Sequence, residues 1–406
     1  MSSNELGINI KSTYKFILSE LKPKSKIITH FNVIAFIIIA IGAVLIVLRF
    51  VKGLGAVTNL SQEYPWGIWI GFDVITGVAF AGGAYSLCFI VYILGDKKYK
   101  PIIRVTVLNG FLAYVFYAGA LLLDLGKPWN VINPIIGNSF GVSSVMFLVA
   151  WHFMLYMLTE LVEISPAFAE WLGWRKVRKY LHGLTLGAVI LGITLSTLHQ
   201  SGLGALFLMA KNKIHPLWYS EFIPILFFVS SIFAGLSMVI VEGSISHKVF
   251  KNRMSDEVSK SHNSILFGLA KICAVVLYVY LFLKLLLFIH GEHWVHLNSQ
   301  MGVLWLVEMI GFVALPCVIF TQAFRYRNEL WVKIGGIITM LGIILNRLNV
   351  SVIAFKWYAA DRYFPSWMEI EITLAIIFLE ILVLRWIIHR MPILSDSPVW
   401  VKNEKH

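Results

Sequence analysis

Residues 65–94 read PWGIWIGFDVITGVAFAGGAYSLCFIVYIL, a long apolar run with a single charged side chain, Asp73. At about 1.5 Å rise per residue, roughly 20 apolar residues cross the hydrocarbon core of a bilayer. This stretch is long enough to span, and it takes a carboxylate in with it. Comparable runs occupy 31–51, 102–125, 144–165, 180–199, 222–245, 265–289, 301–324, 331–354 and 367–389. Of 406 residues 58% are hydrophobic and 14% charged, and no segment is left over for a soluble domain. The composition therefore predicts an all-α polytopic membrane protein with about ten transmembrane helices.

The net charge of +12 would suggest nucleic acid as a partner in a soluble chain, but here its distribution carries the information. If the N-terminus is inside, the inner segments hold 23 Lys and Arg and the outer ones 6. That asymmetry predicts cytoplasmic termini, and no nucleic-acid partner is expected. Residues 1–30 read as a cytoplasmic tail, 31–391 as one ten-helix domain and 392–406 as a second tail. The first 26 residues are polar and lack a small-residue cleavage site, so a cleaved signal peptide is not expected. Within them TYKFILSEL either lies on the membrane surface as an amphipathic helix or belongs to a disordered leader. Cys88, Cys273 and Cys317 stand singly in three runs, without the paired spacing that a zinc site or an iron-sulfur cluster needs. No metal is expected, and electrons would have to come from another subunit.

Charges inside a bilayer are costly, so each should face a partner or a wet cavity. Asp73 sits about 10 Å along its helix from the outer interface marked by Trp66. Asp124 closes the third run in LLLDLGKPWN, His199 and Gln200 end the fifth in STLHQSGLGAL, Glu308 begins the eighth and Arg347 is late in the ninth. All are expected near the outer face, which points to a shared polar pocket with Trp66 and Trp69 beside it. The plainer readings are an Asp73–Arg347 ion pair, tryptophans acting as interfacial anchors, and Gly67 with Gly71 as a helix-packing motif. Glu160, Glu163, Glu242 and Lys271 lie toward the cytoplasm with His152 between the levels, a series that either relays protons or snorkels to the interface. Lys284, deep in the seventh run, has no assigned role.

Carboxylate, imidazole, guanidinium and indole around a lipid-accessible pocket suit a quinone, whose carbonyl oxygens need donors that also deliver protons. His199 is the natural proton-exchanging group, Asp73 or Asp124 its orienting partner, and Arg347 a stabiliser of negative charge. Haem would require histidines facing each other across helices. His152, His182 and His199 lie in or at the ends of runs, and the last two share one helix about 25 Å apart. No haem is expected. A proton-coupled transporter is the alternative from another class.

YPWGIWIGFD, DLGKPWN, LHQSGLGAL, KIHPLWYSE, VEGS and YFPSWMEI, in this order from about residue 45 to the end, resemble the NrfD/polysulfide reductase membrane-subunit family. Within it the resemblance is to the HybB-type subunit of periplasmic NiFe hydrogenases. It implies a haem-free, quinone-reactive subunit, most readily one reducing menaquinone. Its implied partners are a ferredoxin-like iron-sulfur subunit and the hydrogenase large and small subunits, and a sister oxidoreductase such as a polysulfide reductase is the alternative. It also implies two four-helix bundles, spans two to five and six to nine, with peripheral first and last helices. Its polar positions fall on Asp73, Asp124, His199, Glu242 and Arg347. Lys127 stands where the family pattern has arginine, which keeps the charge but loses the bidentate fork.

Overall fold

The computed structural model describes residues 10–24, 26–136 and 143–403, so residues 1–9 and 404–406 of the expected tails lie outside it. Nine helices among the described residues are long and apolar enough to cross a membrane: α1 (His30–Lys52), α2 (Trp69–Ile93), α3 (Lys97–Asp124), α4 (Val145–Leu172), α5 (Arg175–Ala210), α6 (Ile223–Val249), α7 (Asp256–His290), α8 (Gln300–Arg325) and α9 (Glu329–Ile353). The tenth run forms α10 (Trp367–Ile388), which carries Glu369, Glu371, Glu380 and Arg385. Among the described residues the only extended pairing is an isolated bridge between Ile214 and Phe355.

The helices pack as two closed rings of four. In the first, α2 meets α3, α3 meets α4, α4 meets α5 and α5 returns to α2; in the second, α6 to α9 close in the same way. The rings meet where α6 lies against α2 and α5. At that seam a Cβ on Gly235 of α6 would run into the backbone of Gly82 and Gly83 in α2, so the two main chains touch directly. Small residues at such a crossing let helices gain dispersion contacts that lipid tails cannot offer. α1 and α10 form a separate pair on the flank. Only Ala35, Gly42, Leu45 and Arg49 of α1 are buried, so most of its surface faces outward.

The polar contacts confirm which loops share an end. At the expected outer end, Tyr64 Oη donates to Lys356 O at 3.1 Å, Asn59 N to Glu369 Oε2 at 3.1 Å and His215 N to Ala354 O at 2.9 Å. At the inner end, Arg104 and Arg178 converge on the buried carboxylate of Glu170, Arg104 through a bidentate pair at 2.8 and 2.9 Å. The described parts of both expected tails pack there. The helix Ile10–Glu20 receives a hydrogen bond from Trp174 Nε1 on Thr13 and sets Phe16 against Trp171 at 5.5 Å. Met391, Ile393 and Leu394 are buried, and Leu394 O accepts from Ser255 N at 2.9 Å. Apolar side chains in nominally polar termini find cover on the bundle ends, which composition alone does not reveal.

Candidate functional site

Four helical segments have i→i+5 hydrogen bonding: Trp69–Val74 and Phe89–Ile93 in α2, Val307–Ala314 in α8 and Asn349–Ile353 in α9. Such widened turns are rare and re-aim the side chains they carry. Here they carry Asp73, Glu308 and Asn349, three buried polar residues. Most of the expected outer-pocket residues are buried, but their partners divide them among three neighbourhoods.

The first is inside the α2–α5 ring. His199 is 1% exposed and lies between Tyr114 and Phe153, with ring centroids at 5.7 and 5.5 Å. Its Nδ1 meets Val149 O at 3.2 Å, and its Nε2 has no partner. Gln200 Nε2 donates to Val78 O at 2.8 Å, which ties α5 to α2. Tyr114 Oη, Ser196 Oγ, Gln200 Oε1 and both Glu160 oxygens are also buried without partners. Glu160 lies over Gly110 of α3, where any Cβ would strike its Oε1. The neighbouring Asn109 hydrogen-bonds Glu242 of α6. Consecutive residues of α3 thus hold two carboxylates from opposite sides, and Tyr114 follows one turn on toward His199. Glu163 accepts from Cys88 Sγ at 3.4 Å.

The second lies on the flank. Asp73 Oδ2 accepts from Thr373 of α10 at 2.9 Å, and Oδ1 is buried without a partner. Arg49 of α1 donates to the carbonyls of Leu123, at 2.7 Å, and Leu125, the residues on either side of Asp124. A cation at the last carbonyls of a helix is favourable, so Arg49 caps α3 and stands next to Asp124.

The third is in the α6–α9 ring. Glu308 accepts from Trp218 Nε1 at 2.7 Å, Asn346 Nδ2 at 2.7 Å and Asn349 Nδ2 at 2.6 Å. Arg347 donates to Asn346 Oδ1 at 2.9 Å and Ser230 Oγ at 2.7 Å, and lies 3.6 Å over the Phe227 ring. Asp73 and Arg347 therefore do not form the ion pair that their charges allowed; each has neutral partners instead. Buried Lys284 lines a small cleft with Trp218, His293 and Trp305 in the same region.

The tryptophans also differ from simple interfacial anchors. Trp69 is 1% exposed and donates to Glu369 O at 3.2 Å, while Trp66 packs on Phe207 and Phe355 at 5.8 and 6.1 Å. Gly67 and Gly71 do serve close packing, against Tyr363 and Ser351. Lys271 is exposed and lies 5.7 Å over Phe324, so it snorkels along the bundle surface. His152 is half-buried, with an unpartnered Nδ1.

Sequence reading missed Tyr114, Trp218, Asn346, Asn349 and Thr373. A same-face signal existed for the asparagines, since Asn346 and Asn349 are three apart on a helix beside Arg347. Thr373 and Tyr114 are ordinary helix residues whose role depends on what faces them.

The three cysteines are free and buried in separate helices. Among the described residues no group of three or more His, Cys, Asp or Glu is arranged to hold a metal.

Comparison with known proteins agrees with this architecture. The family described as Polysulphide reductase, NrfD matches residues 56–355. A protein of Nitratidesulfovibrio vulgaris is 44% identical over 374 residues, 92% of this chain and 96% of its own length. The "Probable Ni/Fe-hydrogenase 2 b-type cytochrome subunit" of Escherichia coli is 30% identical, covering 88% of this chain and 90% of its own. The "Menaquinone reductase, integral membrane subunit" of N. vulgaris is 25% identical, covering 85% and 87%. With two closed four-helix rings, the matched segment running from the loop before α2 to the end of α9, and a hydrogenase subunit among its relatives, this chain belongs to the NrfD polysulphide reductase family.

Proposed function

We propose that this protein is the quinone-reactive membrane subunit of a bacterial inner-membrane redox complex, most specifically of a periplasmic NiFe hydrogenase. It would receive electrons from a ferredoxin-like iron-sulfur subunit at the outer face and pass them to menaquinone or another quinone. The observation that carries the reading is the buried group around His199 in the first ring, where imidazole, phenol, amide and hydroxyl atoms have unused hydrogen-bonding capacity among aromatic rings. A quinone that takes up two electrons needs two protons on its oxygens; Tyr114 and Ser196 carry hydroxyl donors here, and His199, with Nδ1 held at Val149 O, leaves Nε2 to take up and pass on a proton. The names of the hydrogenase and menaquinone reductase relatives support the same class of chemistry.

In this reading His199 Nε2 exchanges a proton with the quinone, and Gln200 and Tyr114 orient the ring. Asp73 and Asp124 hold protons at the flank, while Arg347 and Glu308 set the field from the second ring. Protons arrive from the inner end through Glu242, Asn109 and Glu160, with Glu163 and His152 alongside.

Haem fits this site poorly. The imidazole of His199 is enclosed between the rings of Tyr114 and Phe153. The E. coli relative's name includes "b-type cytochrome", so the purified complex should be examined for a Soret band belonging to this chain; we expect none.

The central test is His199→Gln in the complete complex. Quinone reduction should fall by about a hundredfold or more, while oxidation of the electron donor with a soluble dye continues at the wild-type rate. Wild-type quinone turnover in this variant would remove the proposed site.

A further inference from the structure

We propose that the inner-end cavity between α3, α6 and α7, covered by Met254 and Leu394, is the proton intake of this protein, with the His247–His262 pair at its mouth and Glu242 on its floor. The inference rests on the quinone-reducing reading above and identifies the side chains that would supply its protons.

The cavity has about 40 Å³ of space for small molecules and is lined by Thr106 and Asn109 of α3, Glu242, Ser246 and His247 of α6, and His262 of α7. Each water needs roughly 10–15 Å³ by this measure, so a short chain of about three waters fits. Three buried atoms around it have no hydrogen-bond partner: Asn109 Oδ1, Glu242 Oε1 and His247 Nδ1. A wholly apolar lining would stay dry, whereas these atoms give water the polar contacts it needs. Met254 and Leu394 lie over the cavity, and Leu266 and Leu269 form its apolar wall.

The imidazoles of His247 and His262 stack at 4.0 Å between centroids with an 11° tilt, across the gap between α6 and α7. Two cations at that distance repel, so a second proton binds to the pair less readily than the first. A pair that takes one proton from bulk water and is ready to release it is a suitable donor to a water chain. The other charged groups facing this region are Glu329 and Lys333 at the start of α9, paired with each other at 3.6 Å, and Glu380 of α10, which faces Glu242. Glu242 lies five residues before His247, roughly 7.5 Å along the helix, a gap that bound waters bridge. Beyond it, the Asn109–Gly110 step of α3 leads to Glu160 and on toward Tyr114. For each quinone reduced, two electrons come from the iron-sulfur partner and two protons pass inward, and bulk water reprotonates the pair.

The test uses the complete complex in liposomes, a short-chain naphthoquinone as acceptor, and two variants: His247→Asn with His262→Asn, which keeps polar side chains at the mouth, and Glu242→Gln. In the double variant quinone reduction should fall about tenfold or more above neutral pH, recover on lowering the pH and be restored by free imidazole. Dye-linked donor oxidation should be unchanged. Wild-type quinone rates in the double variant at every pH, with Glu242→Gln inactive, would overturn the intake while leaving the quinone reading in place. Wild-type rates in both variants would overturn the intake and the inner proton route together. A loss in the double variant that neither pH nor imidazole alters would assign the pair a purely structural part and also overturn the proposal.

Discussion

At the scale of single residues, the fully satisfied and the unsatisfied carboxylates have different uses. Glu308 has three neutral donors on two oxygens and is 1% exposed, so its hydrogen-bonding capacity is met inside the protein. Each such bond to a charged group contributes on the order of 1.5–3 kcal/mol. Trp218→Phe removes one donor with little change in shape, so we expect a loss of about that size, measured by thermal or denaturant unfolding in detergent. Glu160 and Asp73 are different, since they keep buried oxygens with no donor. Unsatisfied buried polar atoms are expensive and cluster where chemistry occurs. The ionisable members of the site were legible from the sequence because charge in an apolar run is conspicuous. Neutral partners such as Thr373 and Tyr114 were not, because they differ from other helix residues only in what they face.

At the scale of the helix, sequence periodicity located every span but misjudged several lengths. The fourth span was read as 144–165, yet α4 continues to Leu172, because Ala167 and Ala169 are buried and Glu170 is held by Arg104 and Arg178. An ion cluster contributed by α3 and α5 extends α4, and no window over α4 alone contains it. The widened turns in α2, α8 and α9 were also invisible, since hydropathy does not register an extra residue in a turn. Gly235 was unremarkable as well, one glycine among 30. Its position against the backbone of Gly82 and Gly83 makes it the tightest point between the rings. Gly235→Ala should force α6 away from α2 and cost about 3 kcal/mol, the upper end for overpacking because main chain cannot rotate aside. A lower melting temperature of the purified subunit would show it, and a variant as stable as wild type would mean the rings are not in backbone contact.

For the molecule as a whole, the outer end is held by loops whose contacts depend on pH. His215 lies in the loop between α5 and α6, is 2% exposed, and sits with Trp357 and His296 at 4.7 and 5.2 Å. Burial, helped by the nearby His296 and His293, pushes its pKa down to about 4. An unfolded histidine titrates near 6.5. The unfolded state therefore binds the extra proton first, and stability from this group is full above about pH 6.5 and lost as pH falls toward 4. The melting temperature should decline over that window, and His215→Gln should flatten the decline.

The pairing of α1 with α10 has a consequence for how the protein is made. α1 acquires α10 as its neighbour only after both rings have been synthesised, and Thr373, the donor to Asp73, arrives in that same late segment. For most of synthesis the nascent chain holds an acid in lipid with its future donor still untranslated. A message cut short before the codons of the final helix would give a product that carries both rings but exposes that acid, marking it for membrane proteases.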